Sequence, residues 1–141
     1  MFSNSLIRRR FFLQGLGVWA LLLGFAIVNG YFRETVLEPN LGPEPAHVLA
    51  TTTLAGAVFV ASLLFVALSS GARSTRDLLA IGVVWALLTG ALELGLGLAR
   101  GVPSRDLFRD YDVTRGRLFG LVLFSELVSP LIAGLLRRLG R

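Results

Sequence analysis

Residues 82–100, GVVWALLTGALELGLGLAR, hold a single acid, Glu93, in a run that is otherwise soluble in hydrocarbon. The run matches the roughly 20 residues that a helix needs to cross a bilayer core. It lacks the alternation of a transmembrane β-strand, and an open strand would leave its backbone polar groups unpaired in lipid, so a helix is expected. Extended to Leu78–Ala99, it is one of four such stretches; the others are Phe11–Phe32, Ala46–Ser69 and Leu118–Leu136. The chain therefore reads as an all-α integral membrane protein, a bundle of four transmembrane helices over 11–32, 46–69, 78–99 and 118–136. These spans and their connections fill the 141 residues, which predicts a single transmembrane domain over 1–141.

Composition points the same way. A content of 54% hydrophobic and 16% charged residues exceeds what a soluble domain of this length can bury. The absence of cysteine excludes disulfides, thiolate metal sites and cysteine nucleophiles. All 14 basic residues are arginines, whose planar forks suit lipid phosphates or buried carboxylates. They stand at the edges of the apolar runs and not in a stripe with interleaved aromatics. The net charge of +5 thus implies the lipid bilayer as partner and no nucleic acid.

Three connections are expected: EPNLGPEP (38–45), SSGARSTRD (69–77) and RGVPSRDLFRDYDVTRGR (100–117). One side of the membrane would then carry Arg8, Arg9, Arg10, Arg73, Arg76, Arg137, Arg138 and Arg141 against the single acid Asp77. The other would carry Arg33, Arg100, Arg105, Arg109, Arg115 and Arg117, offset by Glu34, Glu38, Glu44, Asp106, Asp110 and Asp112. By the positive-inside rule, both termini are expected to be cytoplasmic, in the inner cell membrane. The start RRRFFLQ (8–14) is similar to a twin-arginine export signal. The apolar run after it is longer than a signal core and has no small-x-small cleavage site, so an uncleaved first span is expected. In the outer loop, Ser104 can cap a short amphipathic helix with Asp106 in its first turn and Leu107, Phe108 and Tyr111 on one side. Asp110 and Asp112 read as solvated charge, since calcium needs further spaced ligands.

Helix faces follow from spacing. Gly82, Ala86, Gly90, Glu93 and Gly97 recur at steps of three and four, forming a small-residue seam on which the carboxylate should point at protein. Thr53, Ala57 and Ala61 on the second span, and Gly17, Ala20 and Gly24 on the first, are the matching seams. Glu93 would then either share an ion pair with Arg33 or Arg117 at the outer boundary, or serve an ion path. A second acid, Glu126, falls near the midplane in RLFGLVLFSELVSPLIAGLLRR (117–138). Pro130 cannot bond the carbonyl of Glu126, and Ser125, Ser129 and Ala133 share an adjacent face, which suits either a proton or cation site or a simple bend. His47 is the one histidine; it reads as an interfacial side chain, or as a single ligand to a pigment or metal. No cofactor is identified by these residues, and no metal cluster is expected.

Four spans in a chain of this size resemble the architecture of small multidrug-resistance exporters and fluoride channels, but the exporters' first-span Glu has no counterpart here, because the first span is uncharged until Arg33. No family follows from that likeness. Without a visible nucleophile-base pair or phosphate loop, an enzyme is not expected. The leading expectation is a non-catalytic accessory subunit or assembly factor of a larger membrane complex, such as a respiratory or photosynthetic one, with other membrane subunits or a second copy as partner. The alternative is a small proton- or ion-coupled transporter that uses Glu126 and Glu93.

Overall fold

A computed structural model describes residues 2–69, 74–107 and 119–140. Helix α1 (Phe2–Phe32) runs through a π-helical turn (Arg33–Leu37) into α2 (Glu38–Leu41). Then come α3 (Pro43–Leu68), α4 (Thr75–Ala99), the single turn α5 (Ser104–Leu107) and α6 (Phe119–Leu139). Among the described residues four helical stretches are long and apolar enough to cross a membrane: Asn4–Leu41, Pro43–Leu68, Thr75–Ala99 and Phe119–Leu139. The chain is a helical multi-pass membrane bundle.

The helices outrun the apolar stretches that announce them. The first rod of 38 residues is roughly 57 Å long at 1.5 Å per residue, well beyond a hydrocarbon core of ~30 Å. Arg8, Arg9 and Arg10, expected as a flank, are turns of α1, because arginine is a good helix former and nothing upstream breaks the ladder. At the other end, Pro39 cannot donate a helical hydrogen bond, and the ladder loosens just before it: the Glu38 N–H donates to Arg33 O, five residues back. Side chains satisfy neighbouring carbonyls there, with the Thr35 hydroxyl donating to Tyr31 O at 2.8 Å and Asn40 Nδ2 to Val36 O at 2.6 Å. The expected connection EPNLGPEP is therefore almost wholly helical. The chain reverses at Gly42, whose φ of 87° is one that other L-residues rarely adopt, and Pro43 opens α3 where a missing N–H is harmless.

At one end of the bundle the helices are tied by arginines. Arg8 Nε pairs with Asp77 Oδ1 at 2.9 Å, joining the starts of α1 and α4. Ser74 caps α4, accepting the Asp77 N–H at 3.1 Å. Arg137 donates to the carbonyls of Val66 and Ser69, satisfying the frayed C-terminus of α3. These contacts bring the first, middle and last arginine groups to one end, as an antiparallel up-and-down arrangement requires; we call it the basic end.

The core lies toward that end. Phe11 stacks on Phe65 with centroids 4.9 Å apart, and Phe65 meets Trp85 at 5.9 Å. Trp85 is fully buried and its indole N–H donates to Gly15 O at 2.9 Å, so the polar handle of the ring is satisfied inside the core. Leu22, Val58, Val66, Leu78, Ile81 and Ala133 complete the cluster. Helix α6 lies against both α3 and α4, whereas α1 packs on α3 and only lightly on α4. That uneven packing decides where the bundle opens.

The small-residue seam on α4 is tight only at Gly82. A Cβ there would fall on the Leu127 carbonyl, 2.9 Å from its carbon and 3.0 Å from Glu126 O, so α4 and α6 touch backbone to backbone. The Glu126 carbonyl that Pro130 leaves unbonded sits at this contact. At Gly90 the approach has relaxed to ordinary contact, 4.0 Å from Leu123 Cδ1. Ala86 and Gly97 are half-buried and Glu93 is exposed, contrary to the expectation of a continuous seam. The spacing is right for one face, but backbone meets backbone only at Gly82, and farther along α4 side chains such as Thr89 and Leu123 bridge the two helices. Gly17, Ala20 and Gly24 face outward, as does Thr53, while Ala57 and Ala61 are half-buried, so these residues do not form the bundle's closest contacts.

Candidate functional site

Because α1 meets α4 only lightly, a cleft of about 390 Å³ opens between α1, α3, α4 and α6. Its walls are apolar, with Leu22, Leu23 and Ile27 from α1, Leu54 from α3, and Leu92 and Leu96 from α4. Glu126 closes its buried part, and Glu34, Glu93 and Arg100 also line it.

Glu126 is 4% exposed and sits at the middle of α6, packed by the face that also buries Ser125, Ser129 and Pro130. The Thr89 hydroxyl of α4 donates to Glu126 Oε1 at 2.8 Å. Trp19 Nε1 of α1 donates in turn to Thr89 Oγ1 at 2.9 Å. One relay of hydrogen bonds thus spans three helices and fixes the carboxyl at the cleft. The second oxygen, Oε2, is buried with no hydrogen-bond partner. An unpaired oxygen of this kind is costly in a medium without water. Ser125 is not part of the relay, since its hydroxyl turns back to Leu121 O at 2.7 Å.

The other residues singled out by the sequence scatter. Glu93 lines the cleft but is exposed, and makes no ion pair among the described residues. Arg33 is engaged within the π-turn, 3.0 Å from Glu34 Oε1 and 3.2 Å from Glu38 Oε1. It does not line the cleft. Arg117 lies outside the described residues, as do residues 108–112 of the expected loop helix, of which the turn Ser104–Leu107 is described. His47 is half-buried on α3 and does not line the cleft. Among the described residues no three of His, Cys, Asp and Glu come together as a metal site would require. A double-mutant cycle on Glu93 and Arg33 is accordingly expected to be additive within about 0.5 kcal/mol in thermal unfolding, as for sites without a shared partner.

Sequence reasoning missed Thr89 and Trp19. Thr89 is a lone hydroxyl within the apolar part of α4, and such a residue in a span is a signal for an interhelical hydrogen bond. Nothing local, however, pairs it with residues 70 and 37 positions away.

Fold and cleft together define a class: a helical multi-pass membrane protein with a buried carboxyl in the lining of a cleft between its helices. No protein-family model, curated protein or solved structure matches the chain.

Proposed function

We propose that this protein is a small carrier in which Glu126 exchanges a proton for a cation entering through the cleft. The observation that carries the reading is a buried carboxyl, Glu126, in the lining of a cleft, with its Oε2 lacking a hydrogen-bond partner. A carboxyl inside a membrane span is expensive and is retained chiefly where it meets an ion, a proton or a substrate. Glu126, Glu93 and Glu34 line the cleft with Arg100; Glu34 is paired with Arg33, which leaves two acids against one cation, so the local field favours positive ligands when Glu126 is ionised. Reconstituted vesicles test this: an imposed pH gradient should collapse faster when a cation is supplied on the opposite side than it does in protein-free vesicles given the same cation.

A second reading, a non-catalytic accessory subunit of a larger membrane complex, draws on α1. Gly17 and Gly24 face away from the bundle, with nothing within 4 Å of a Cβ built on either, and suit close approach by another helix. Purification in mild detergent separates the two: co-migration with a large assembly supports the subunit, and an isolated small oligomer that moves protons supports the carrier.

The orientation proposed is both termini cytoplasmic in the inner membrane, from the arginines gathered at the basic end. Reporters fused after Arg141 or between α3 and α4 are expected inside, and one at Pro43 outside. A cytoplasmic signal at Pro43 contradicts this arrangement.

A further inference from the structure

We infer that the cleft takes an organic ammonium ion with an apolar body, its N–H seated on Oε2 of Glu126. The inference rests on the reading of the cleft as a cation site and names the class of cation.

The donors at the buried end are already spent. The Trp19 indole N–H goes to Thr89, and the Thr89 hydroxyl goes to Glu126 Oε1, so with Glu126 ionised this end presents acceptors and no free donor. An anion finds donors in the cleft only away from Glu126, at Arg100 and Tyr31. A bare metal ion fares little better, because hard cations stripped of water need several oxygen ligands and the buried end supplies one carboxyl. The contact at Gly82 also covers the free Glu126 carbonyl from the α4 side. A protonated amine, by contrast, needs one strong acceptor for its N–H, and Oε2 is that acceptor.

The walls select the rest of the ligand. Leucines from three helices, with Trp19 and Phe119, line the space between Glu126 and the rim. A volume of about 390 Å³ falls within the range of small-molecule sites, which are mostly apolar with a few polar groups. Aromatic faces add attraction for a cation when water is excluded. The unpartnered oxygen should further favour a protonated amine over a quaternary ammonium, which has no N–H to donate.

Equilibrium binding to the purified full chain in detergent tests this with four probes: 4-phenylbutylammonium, its N-trimethyl analogue, the anion 4-phenylbutyrate, and methylammonium. The phenylbutylammonium ion should bind at least about tenfold more tightly than methylammonium, from burial of its apolar body. It should also exceed the trimethyl analogue, and 4-phenylbutyrate should not compete. Glu126→Gln keeps an acceptor for Thr89 and should lose the preference for cation over anion. Gly30→Leu supplies a second variant: Gly30 lines the cleft, nothing lies within 4 Å of a Cβ there, and the added side chain should fill the cleft and weaken binding with the fold intact. Equal binding of cation and anion, or of phenylbutylammonium and methylammonium, overturns the inference, as does undiminished selectivity in Glu126→Gln. If sodium or potassium collapses the vesicle pH gradient faster than in protein-free vesicles while the amines give the same rate with and without protein, the ammonium class is wrong and the carrier stands. If no cation of any kind does so, the carrier reading itself fails.

Discussion

Gly82→Ala is expected to unfold the bundle at a distinctly lower temperature than the parent protein. The added Cβ meets the Leu127 carbonyl, and neither partner is a flexible side-chain end that can swing aside; both are backbone. Forcing the helices apart at a packed contact typically costs about 1–3 kcal/mol. The better helix propensity of alanine recovers up to about 1 kcal/mol, so packing wins. Gly90→Ala is the control, since its Cβ finds Leu123 Cδ1 at an ordinary 4.0 Å and keeps the propensity gain. Melting curves in one detergent should show a drop for Gly82→Ala and none for Gly90→Ala. Equal tolerance of both would mean that α4 and α6 do not meet at Gly82.

The contrast between these glycines shows how far the sequence could be read. Spacing places Gly82, Gly90 and Glu93 on one helix face, and that is correct as local geometry. It does not say how far along α4 the neighbouring helix stays in contact. That depends on the bulk of Trp85, Phe11 and Phe65 packing at the basic end and on α1 leaning away, both long-range facts. Glu93 was accordingly expected against protein and stands exposed at the cleft. The four spans themselves were legible because length and apolarity suffice to demand helices in lipid. Their ends were not, because hydropathy reports solubility in hydrocarbon and not where hydrogen bonding stops: Arg8 to Arg10, Glu38 and Asn40 are polar yet helical. Glu126 was legible as an acid at mid-span beside Pro130. Its partner Thr89 and the indole of Trp19 come from other helices, and the cleft they border exists only in the assembled bundle.

Glu126→Gln is expected to abolish proton-coupled flux while leaving the fold intact. The amide oxygen of glutamine can still accept the Thr89 hydroxyl, so the relay through Trp19 survives and the melting temperature should stay near that of the parent. The side chain no longer exchanges a proton, and its second position becomes a donor that repels a cation. Glu93→Gln should behave differently. Glu93 is exposed at the cleft and has no partner among the described residues, so its loss weakens the attraction of cations into the cleft without removing the exchanging group. Its flux should fall at low cation concentration and recover at high concentration.

Proton movement in vesicles reconstituted with the parent protein, Glu126→Gln or Glu93→Gln, each at matched protein content, compares these outcomes directly. With 4-phenylbutylammonium, sodium and potassium supplied in turn, the parent should, with at least one of them, collapse an imposed pH gradient faster than protein-free vesicles given the same cation. Glu93→Gln should show a smaller excess, and Glu126→Gln should match the protein-free vesicles, whose own rate with the amine measures its passage as the neutral base. Flux through a folded Glu126→Gln at the rate of the parent would contradict the assignment of Glu126 as the exchanging carboxyl.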